Sequence, residues 1–199
     1  MVVLFDLGNV IIKPADVRKV YEKLVCKVSY ERFKDVWENH ANVYLWHLGK
    51  ISNTDAMKFI LDKVGSPNTV KELECAFANL YSTEILNKDT IEIIRSLKKQ
   101  KIKIGVLSNL RTLDLDYLKK IFDINVFDYH FWSCEINLLK PHREIFQYVI
   151  NHIGCQPNEI YYFDDHEPHV AAAKQLGINA YVADGGTIEE VFKDKLRFS

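Results

Sequence analysis

Acidic side chains directly follow two short apolar runs of this sequence, where they are well placed for chemistry. Asp6 follows Val2–Phe5, and the pair Asp164 and Asp165 follows the similar run Ile160–Phe163. Short apolar runs are typical of buried strands, and open α/β sheets bind ligands at the carboxyl ends of their strands. Neighbouring carboxylates repel each other unless a cation neutralises them, and hard oxygen ligands suit Mg²⁺. We therefore expect a Mg²⁺ site at this edge, although one acid of the pair could instead be a helix N-cap.

A hydroxyl and an amine occupy comparable positions elsewhere in the chain. Ser108 ends another strand-like run, and the backbone N–H groups of Asn109 and Leu110 beyond it are suited to an oxyanion. Lys140 precedes a predicted helix at Arg143–Ile153. A cation there opposes the helix dipole, which argues against an ordinary solvated lysine at the start of the helix. We therefore expect the Lys140 ammonium to bind phosphate as a point charge. Taken singly, each segment is also compatible with an ordinary turn or a solvated helix start.

Strands and helices must alternate to bring these side chains together. Strand-like runs lie at Val2–Asp6, Ile102–Ser108, His130–Ser133, Ile160–Phe163 and Ala180–Ala183. Helical spacing of apolar residues recurs between them, at Ile91–Lys99, Leu113–Ile121, Arg143–Ile153 and Pro168–Leu176. This alternation predicts an α/β fold in which helices cover both faces of a parallel sheet.

Residues 15–86 interrupt this alternation, because they show helical patterns and almost no strand signal. A helical block inserted after the first strand suggests a small lid above the carboxyl ends of the strands. We therefore predict two domains: an α/β core of residues 1–14 and 87–199, and a helical cap of residues 15–86.

Composition and charge exclude several classes of partner. The 199 residues carry a net charge of -1, so no basic field attracts nucleic acid or a membrane surface. No apolar run is long enough to cross a bilayer. The four cysteines show no metal-site spacing, which favours reduced thiols and a cytoplasmic location. We therefore expect a small-molecule partner rather than nucleic acid or a membrane, and the sequence leaves the oligomeric state open.

Four short segments resemble, in order and spacing, the four motifs of the haloacid dehalogenase superfamily; they are FDLGNV, VLSN, LLKP and FDD. The resemblance extends over nearly the whole chain, and the predicted helical cap is similar to the small C1-type cap of that superfamily. The chain also resembles the branch of α-D-glucose-1-phosphate phosphatases and the N-terminal phosphatase lobe of epoxide hydrolases. The segment Gly49–Ser52 fits a Gly-x-Ile-Ser pattern of those relatives. The implied fold is a Rossmann-like parallel sheet with a cap after the first strand.

The resemblance implies a Mg²⁺-dependent phosphatase that acts on a small phosphorylated metabolite, for example a sugar phosphate. Asp6 would be the nucleophile and would form an aspartyl-phosphate intermediate. Mg²⁺ would be held by Asp6, the backbone carbonyl of Gly8 and Asp165, with Asp164 behind them. The resemblance also implies that Ser108, Asn109 and Lys140 bind the phosphate. Lys140 would be a second catalytic residue, beside Asp6.

The sequence departs from the superfamily pattern near the implied metal site. Gly8 stands where most phosphatases of the superfamily carry an Asp that acts as general acid and base. His169 stands four residues after Asp165, where Asp or Asn is usual. One hypothesis is that His169 replaces the missing acid, since histidine titrates near neutral pH. The interpretation we favour is a histidine on the helix surface.

Three side chains of the predicted cap, Tyr44, Trp46 and His47, form an aromatic and polar cluster near Gly49. Substrate pockets combine apolar walls with a few polar groups, so this cluster is a candidate pocket wall. Trp46 is at least as well explained as a residue of the cap core.

Two other functions compete with a phosphatase. A 2-haloacid dehalogenase also uses an Asp nucleophile, but that chemistry needs no metal, so the Asp164–Asp165 pair argues against it. A non-catalytic protein that binds phosphate on the same scaffold is the other alternative, because Gly8 and His169 both depart from the enzyme pattern.

Overall fold

A parallel β-sheet forms the centre of the fold. The computed structural model describes residues 1–13, 15–82, 85–183, 188 and 190. Within these residues the strands are β1 (Val2–Phe5), β2 (Lys103–Ser108), β3 (Tyr129–Trp132), β4 (Ile160–Asp164) and β5 (Asn179–Val182). They pair in the order β3-β2-β1-β4-β5, and every pairing is parallel. The predicted α/β fold with a parallel sheet is confirmed.

Helices follow or separate the strands. The α-helices of the described residues are α1 (Arg18–Tyr21), α2 (Tyr30–Asn39), α3 (Ala41–His47), α4 (Asn53–Lys63), α5 (Val70–Ala78), α6 (Lys88–Lys99), α7 (Thr112–Ile121), α8 (Ser133–Ile136), α9 (Arg143–Ile153) and α10 (Glu167–Lys174). None of these helices combines the length and the apolar character needed to span a bilayer.

The position of β1 in the centre of the sheet explains why its sequence is apolar without alternation. β1 lies between β2 and β4, and all four of its residues are buried. Val3 and Phe5 belong to a hydrophobic cluster that includes residues of α6 and α7. Val2 and Leu4 belong to another cluster, which includes residues of α9 and α10. Because successive side chains of a strand point to opposite faces, both faces of the sheet are covered by helices, as the sequence predicts.

The pairing register brings the carboxyl ends of three strands to one edge. Phe5 of β1 lies opposite Val106 of β2 and Phe163 of β4. Asp6 therefore follows β1 at the level where β2 ends in Ser108 and β4 ends in Asp164. A strand's register is fixed where its faces are buried, so the apolar runs place these polar side chains side by side.

The helical insertion, which we define as α1 to α5, follows β1 in the chain and packs around a hydrophobic cluster of its own. This cluster also contains Leu113 of α7, and the partly buried Tyr117 of the same helix packs against it. The packing of the insertion is thus continuous with one face of α7. The predicted boundaries of core and cap stay a prediction, and most of residues 184–199, assigned to the core, lie outside the described residues.

Candidate active site

Three carboxylates converge at the carboxyl edge of the sheet. Each of Asp6, Asp164 and Asp165 offers an oxygen, and these oxygens lie within 4.8 Å of one another. Asp6 and Asp164 are buried, whereas Asp165 is half-buried. The structure thus brings together the acidic residues that the sequence places after β1 and at the end of β4.

The Lys140 ammonium lies between two of these carboxylates. Its Nζ donates to Asp6 Oδ1 at 2.8 Å and to Asp164 Oδ2 at 2.6 Å. It also donates to the backbone carbonyl of Leu107 at 3.0 Å. These acceptors use all three donors of the ammonium, and the residue is only 4% exposed. Lys140 is therefore held rigidly inside the site and is not a solvated lysine at a helix start.

The carboxylates of the site outnumber its ammonium. Burial raises the pKa of Asp6, and the nearby Asp164 carboxylate adds to this, while the charge of Lys140 opposes it. Burial also disfavours the ionised form of Asp164, but the hydrogen bond from His169 and the charge of Lys140 outweigh it and hold the pKa of Asp164 well below its usual range. One ammonium cannot neutralise three carboxylates, and a divalent cation with oxygen ligands fits the remaining charge.

Asp164 and Asp165 differ in how their oxygens are used. Asp164 accepts from Lys140, from the Tyr162 hydroxyl in a short hydrogen bond, from the His166 N–H at 2.8 Å and from His169 Nδ1 at 3.0 Å. Asp165 accepts, within the described part of the chain, from Asn9 Nδ2 at 2.5 Å. Asp164 is thus occupied in fixing its neighbours, whereas Asp165 keeps oxygen lone pairs for another ligand.

The loop after β2 supports the segment that carries the ammonium, and the expected phosphate-binding role of Ser108 and of the Asn109 N–H stays a prediction. The Asn109 side chain donates to the Lys140 carbonyl and accepts from the Lys140 N–H, both at 2.9 Å. It therefore fixes the backbone that carries the ammonium. The expectation that the Leu110 N–H is free for an oxyanion is wrong, because this group donates to Ser133 Oγ at 2.8 Å. Ser108 is buried beside Asp6, where its side chain favours the ionised carboxylate.

Gly8 lies directly beside the Asp6 carboxylate. A Cβ added at Gly8 would lie 3.9 Å from Asp6 Oδ2, which is ordinary van der Waals contact. A side chain at this position would therefore contact the Asp6 carboxylate, and glycine leaves that space without an acid or base.

His169 faces the site from the first turns of α10. Its Nδ1 lies 3.0 Å from both oxygens of Asp164, and its ring stacks on His166 with 5.1 Å between the centroids. The side chain is 15% exposed, so the interpretation as a surface histidine is wrong. Helical periodicity places His169 near the border of the buried face but does not reveal the carboxylate that it meets. Its hypothetical role as an acid stays untested by this geometry.

A cleft of about 340 Å³ opens between the helical insertion and the loops of Asn109 and Lys140. Its lining residues are Glu38, Asn39, His40, Tyr44, His47, Asn109, Leu139 and Lys140. The Tyr44 hydroxyl lies 3.2 Å from His142 Nε2 and joins the insertion to the core. Tyr44 and His47 therefore lie where the sequence suggests a pocket wall.

Trp46, the third member of the aromatic cluster, does not line this cleft. It is completely buried in the core of the helical insertion, and its Nε1 donates to Asn53 Oδ1 at 2.8 Å. The core interpretation of Trp46 is therefore correct, and its assignment to the pocket wall is wrong.

Comparison with known proteins places the chain in a family. A family model described as haloacid dehalogenase-like hydrolase matches residues 1–177, which contain the whole carboxylate site. This chain belongs to that family. The resemblance that the four motifs suggest is thereby confirmed, and the chain is a hydrolase of the haloacid dehalogenase type.

Two curated proteins that resemble the chain are named for different activities. The chain is 26% identical to the sesquiterpene phosphatase astK of Aspergillus oryzae over 133 residues, 65% of this chain and 66% of the relative. It is 22% identical over 107 residues to the bifunctional epoxide hydrolase 2 of Rattus norvegicus, which is 51% of this chain. The match spans only 19% of that rat protein. The match therefore covers only a small part of the rat protein, whereas it covers about two thirds of the Aspergillus oryzae relative.

The fold is shared with a family enzyme of Bacteroides thetaiotaomicron whose crystal structure is a complex with magnesium and inorganic phosphate. The two chains superpose with a TM-score of 0.77, at 22% identity, over 93% of this chain and 94% of the other. At this identity the similarity establishes the fold.

A second buried cation, which the sequence analysis misses, lies where the helical insertion meets α7. The Arg111 guanidinium donates to Asp114 at 2.6 and 3.0 Å and lies 4.8 to 4.9 Å from three ring centroids. Those rings belong to Trp37, Trp46 and Phe77 of the insertion. We call these five residues the Arg111 cluster. The only sequence signal is the i, i+3 spacing of Arg111 and Asp114, which does not reveal the rings.

The pKa of His47 depends on the charges of the Arg111 cluster. Burial and the charge of Arg111 lower its pKa to about 4, although Asp114 and the backbone of Asn109 oppose the shift. Its buried Nδ1 has no hydrogen-bond partner among the described residues. The imidazole is therefore neutral at physiological pH, on the border between the insertion and the cleft.

Proposed function

We propose that this hydrolase is a Mg²⁺-dependent phosphatase that acts on a small phosphorylated metabolite and uses Asp6 as its nucleophile. The observation that carries the proposal is the excess of carboxylates over the ammonium at one buried edge of the sheet. A phosphate substrate is an anion, so it can approach Asp6 only where cations offset both negative charges. The similarity to a phosphatase of Aspergillus oryzae supports the same reaction class.

The residues that would hold Mg²⁺ are Asp6, the backbone carbonyl of Gly8 and Asp165. Asp164 is better suited to hold Lys140, because four donors already occupy its oxygens. Asp165 is half-buried and has lone pairs to spare, which suits a ligand that water and phosphate complete. When bound, the metal would polarise a phosphoryl oxygen and offset the negative charge that develops there.

The reaction would proceed in two displacements. A carboxylate oxygen of Asp6 attacks phosphorus, the bond from phosphorus to the alcohol oxygen breaks, and an aspartyl-phosphate forms. Because Gly8 offers no acid, the departing oxygen takes its proton from water. A water molecule then attacks the phosphoryl group, loses a proton to solvent and releases inorganic phosphate, which restores Asp6. Asp6, Asp164 and the Leu107 carbonyl take the three donors of Lys140, so the ammonium would act on the phosphoryl group through its charge. The Ser108 hydroxyl and the Asn109 N–H would stabilise negative charge on the phosphoryl oxygens during both steps.

The helical insertion would act as a cap that selects the leaving group. The cleft beside Lys140 is bordered by Glu38, His40 and Tyr44 of the insertion, which are polar. These polar groups would hydrogen-bond a hydroxylated leaving group, as in a sugar phosphate. A cytoplasmic location is consistent with this substrate class and remains part of the proposal.

An aryl phosphate assay tests the proposal. We expect wild-type protein to release phosphate only when Mg²⁺ is present, and Asp6→Asn to lose this activity because an amide is not a nucleophile for phosphorus. Asp116→Asn is the matched control, since Asp116 is an exposed acid of α7, and it should behave like wild type.

Other outcomes would support the competing functions. Halide release from 2-chloropropionate without metal would indicate a dehalogenase. A lack of turnover in both assays and with a panel of sugar phosphates would indicate the non-catalytic alternative, for which the missing side chain at Gly8 is the observation in favour.

A further inference from the structure

Asn9 combines an unusual backbone conformation with a long-range contact to the candidate metal ligand. Its φ is 56°, in the left-handed region that side-chain-bearing residues rarely adopt. Its Nδ2 donates to Asp165 Oδ2 at 2.5 Å, across 156 residues of sequence. We propose that Asn9 is a positioning residue that orients the Asp165 carboxylate for Mg²⁺ binding. This inference rests on the proposed function, because it concerns the same metal site.

The backbone conformation directs the Asn9 side chain across the gap between two loops. Asn9 belongs to the loop after β1, whereas Asp165 belongs to the loop after β4. Glycine adopts a positive φ at no steric cost, and asparagine is among the few other residues that tolerate it. An outlier of this kind at a candidate site supports a functional hypothesis. Asparagine fits this φ less well than glycine does, but it has a side-chain amide that reaches Asp165.

The contact matters because no other hydrogen-bond donor to Asp165 is found among the described residues. Asp164 next to it accepts from Lys140, Tyr162, His166 and His169. For Asp165, the Asn9 amide is the hydrogen-bond donor found among the described residues. Without this hydrogen bond, the half-buried Asp165 carboxylate would rotate among several orientations. Metal binding would then cost entropy, because it fixes one of them. Hydrogen bonds behind a ligand reduce that cost, which is why groups of this kind affect metal affinity.

The chemical type of residue 9 fits this role. An amide N–H donates to one carboxylate oxygen and leaves the other for a metal, and it adds no charge. A lysine at this position would place a positive charge beside the incoming cation, and an aspartate would repel Asp165. Asparagine therefore combines tolerance of the left-handed backbone with an uncharged donor.

The Asn9→Gly variant separates the positioning role from a structural one. Glycine relieves the backbone but gives the unfolded chain more freedom, and these effects oppose each other, so the variant should unfold close to the wild-type temperature. Removal of the amide should weaken Mg²⁺ binding by about 10- to 100-fold. The measurement is titration calorimetry with MgCl₂ alone, without substrate, together with a thermal melt of the metal-free protein.

Lys101→Gly is the matched control. Lys101 has a φ of 61°, and it is exposed before the start of β2, at the opposite end of that strand from Ser108. The same relief of backbone strain is therefore available there without a contact to the site. Lys101→Gly should retain the wild-type affinity for Mg²⁺.

Several results would overturn the inference. Equal Mg²⁺ affinity in Asn9→Gly and wild type would show that the amide does not act on Asp165. A melting temperature lowered more by Asn9→Gly than by Lys101→Gly would show that the amide serves the fold. In an Asp165→Asn background the added loss from Asn9→Gly should shrink, since the two residues act together, and additive losses would also contradict the inference. A wild-type protein that binds no Mg²⁺ would instead refute the metal site of the proposed function.

Discussion

Two buried cations, Lys140 and Arg111, occupy very different surroundings in this molecule. Lys140 lies among carboxylates that outnumber it, with Asp6 and Asp164 in direct contact. Arg111 lies among three aromatic rings and pairs with one carboxylate, that of Asp114. The group around Lys140 is left with a net negative charge, whereas the charges of Arg111 and Asp114 balance each other. The comparison indicates that an unbalanced buried site needs another ion or a substrate, whereas a balanced one needs neither.

The side-chain chemistry suits each place. A guanidinium is planar, stacks on aromatic faces and binds a carboxylate with two parallel hydrogen bonds. Arg111 does both, and the short hydrogen bond from Tyr81 completes the Asp114 carboxylate. An ammonium is a compact charge with three donors, and Lys140 directs them at oxygens around the place that a phosphoryl group would occupy. A positively charged side chain therefore stabilises packing at Arg111, whereas at Lys140 we propose that it takes part in catalysis.

The Lys140→Met variant should have the largest effect, because it changes both activity and stability. Loss of the ammonium should lower kcat by about 10²- to 10³-fold, the usual cost of one electrostatic stabiliser. It also leaves Asp6 and Asp164 buried without their cation. The measurement is kcat for aryl phosphate hydrolysis at saturating Mg²⁺, and activity within a few-fold of wild type would refute the role of Lys140.

The same exchange at the other cation, Arg111→Met, should affect stability and spare the chemistry. It leaves the Asp114 carboxylate buried and unpaired, so the free energy of unfolding should fall by about 3–5 kcal/mol. Urea unfolding measures this loss, and kcat per folded molecule should stay close to that of wild type. Arg111→Met combined with Asp114→Leu should recover most of the stability. A large loss of kcat in the folded variant would show that the two cations are not independent.

His47 should have the smallest effect on stability, and this effect depends on pH. Its pKa is about 4 in the folded protein, against the ordinary value of 6.5. Below pH 6.5 the unfolded chain binds a proton that the folded protein does not. The stability contributed by neutral His47 is therefore complete above pH 6.5 and is lost as the pH falls towards 4.

The corresponding experiment compares wild type with His47→Gln, whose side chain does not titrate. The melting temperature of the variant should fall less between pH 7 and pH 5 than that of wild type. Each kcal/mol corresponds to about 2–4 °C for a chain of this size. Equal decreases in both proteins would contradict the low pKa of His47 and the electrostatic influence of Arg111 on it.

The sequence reveals the residues that lie at strand ends. Asp6, Ser108 and Asp164 each end or follow a buried apolar run, and parallel pairing then brings them to one edge. Strand register is a strong constraint because both faces of the sheet are buried. For that reason the convergence of the carboxylates can be predicted from the amino-acid sequence.

Contacts between helices and loops could not be predicted in the same way. The rings around Arg111 come from α2, α3 and α5, and no periodicity links them to residue 111. His169 and Trp46 have ordinary helical spacing, and their partners depend on how the helices pack. The hydrogen bond from the Leu110 N–H to Ser133 likewise depends on where α8 lies relative to β2.

The apolar face of α7 belongs to two units of the molecule at once. Leu113 and Tyr117 complete the hydrophobic cluster of the helical insertion, although α7 follows β2. Excision of residues 15–86 would expose these side chains to water and promote aggregation of the shortened chain. A protein engineer who exchanges this insertion for one of different selectivity must therefore redesign the matching surface of α7 in the recipient scaffold.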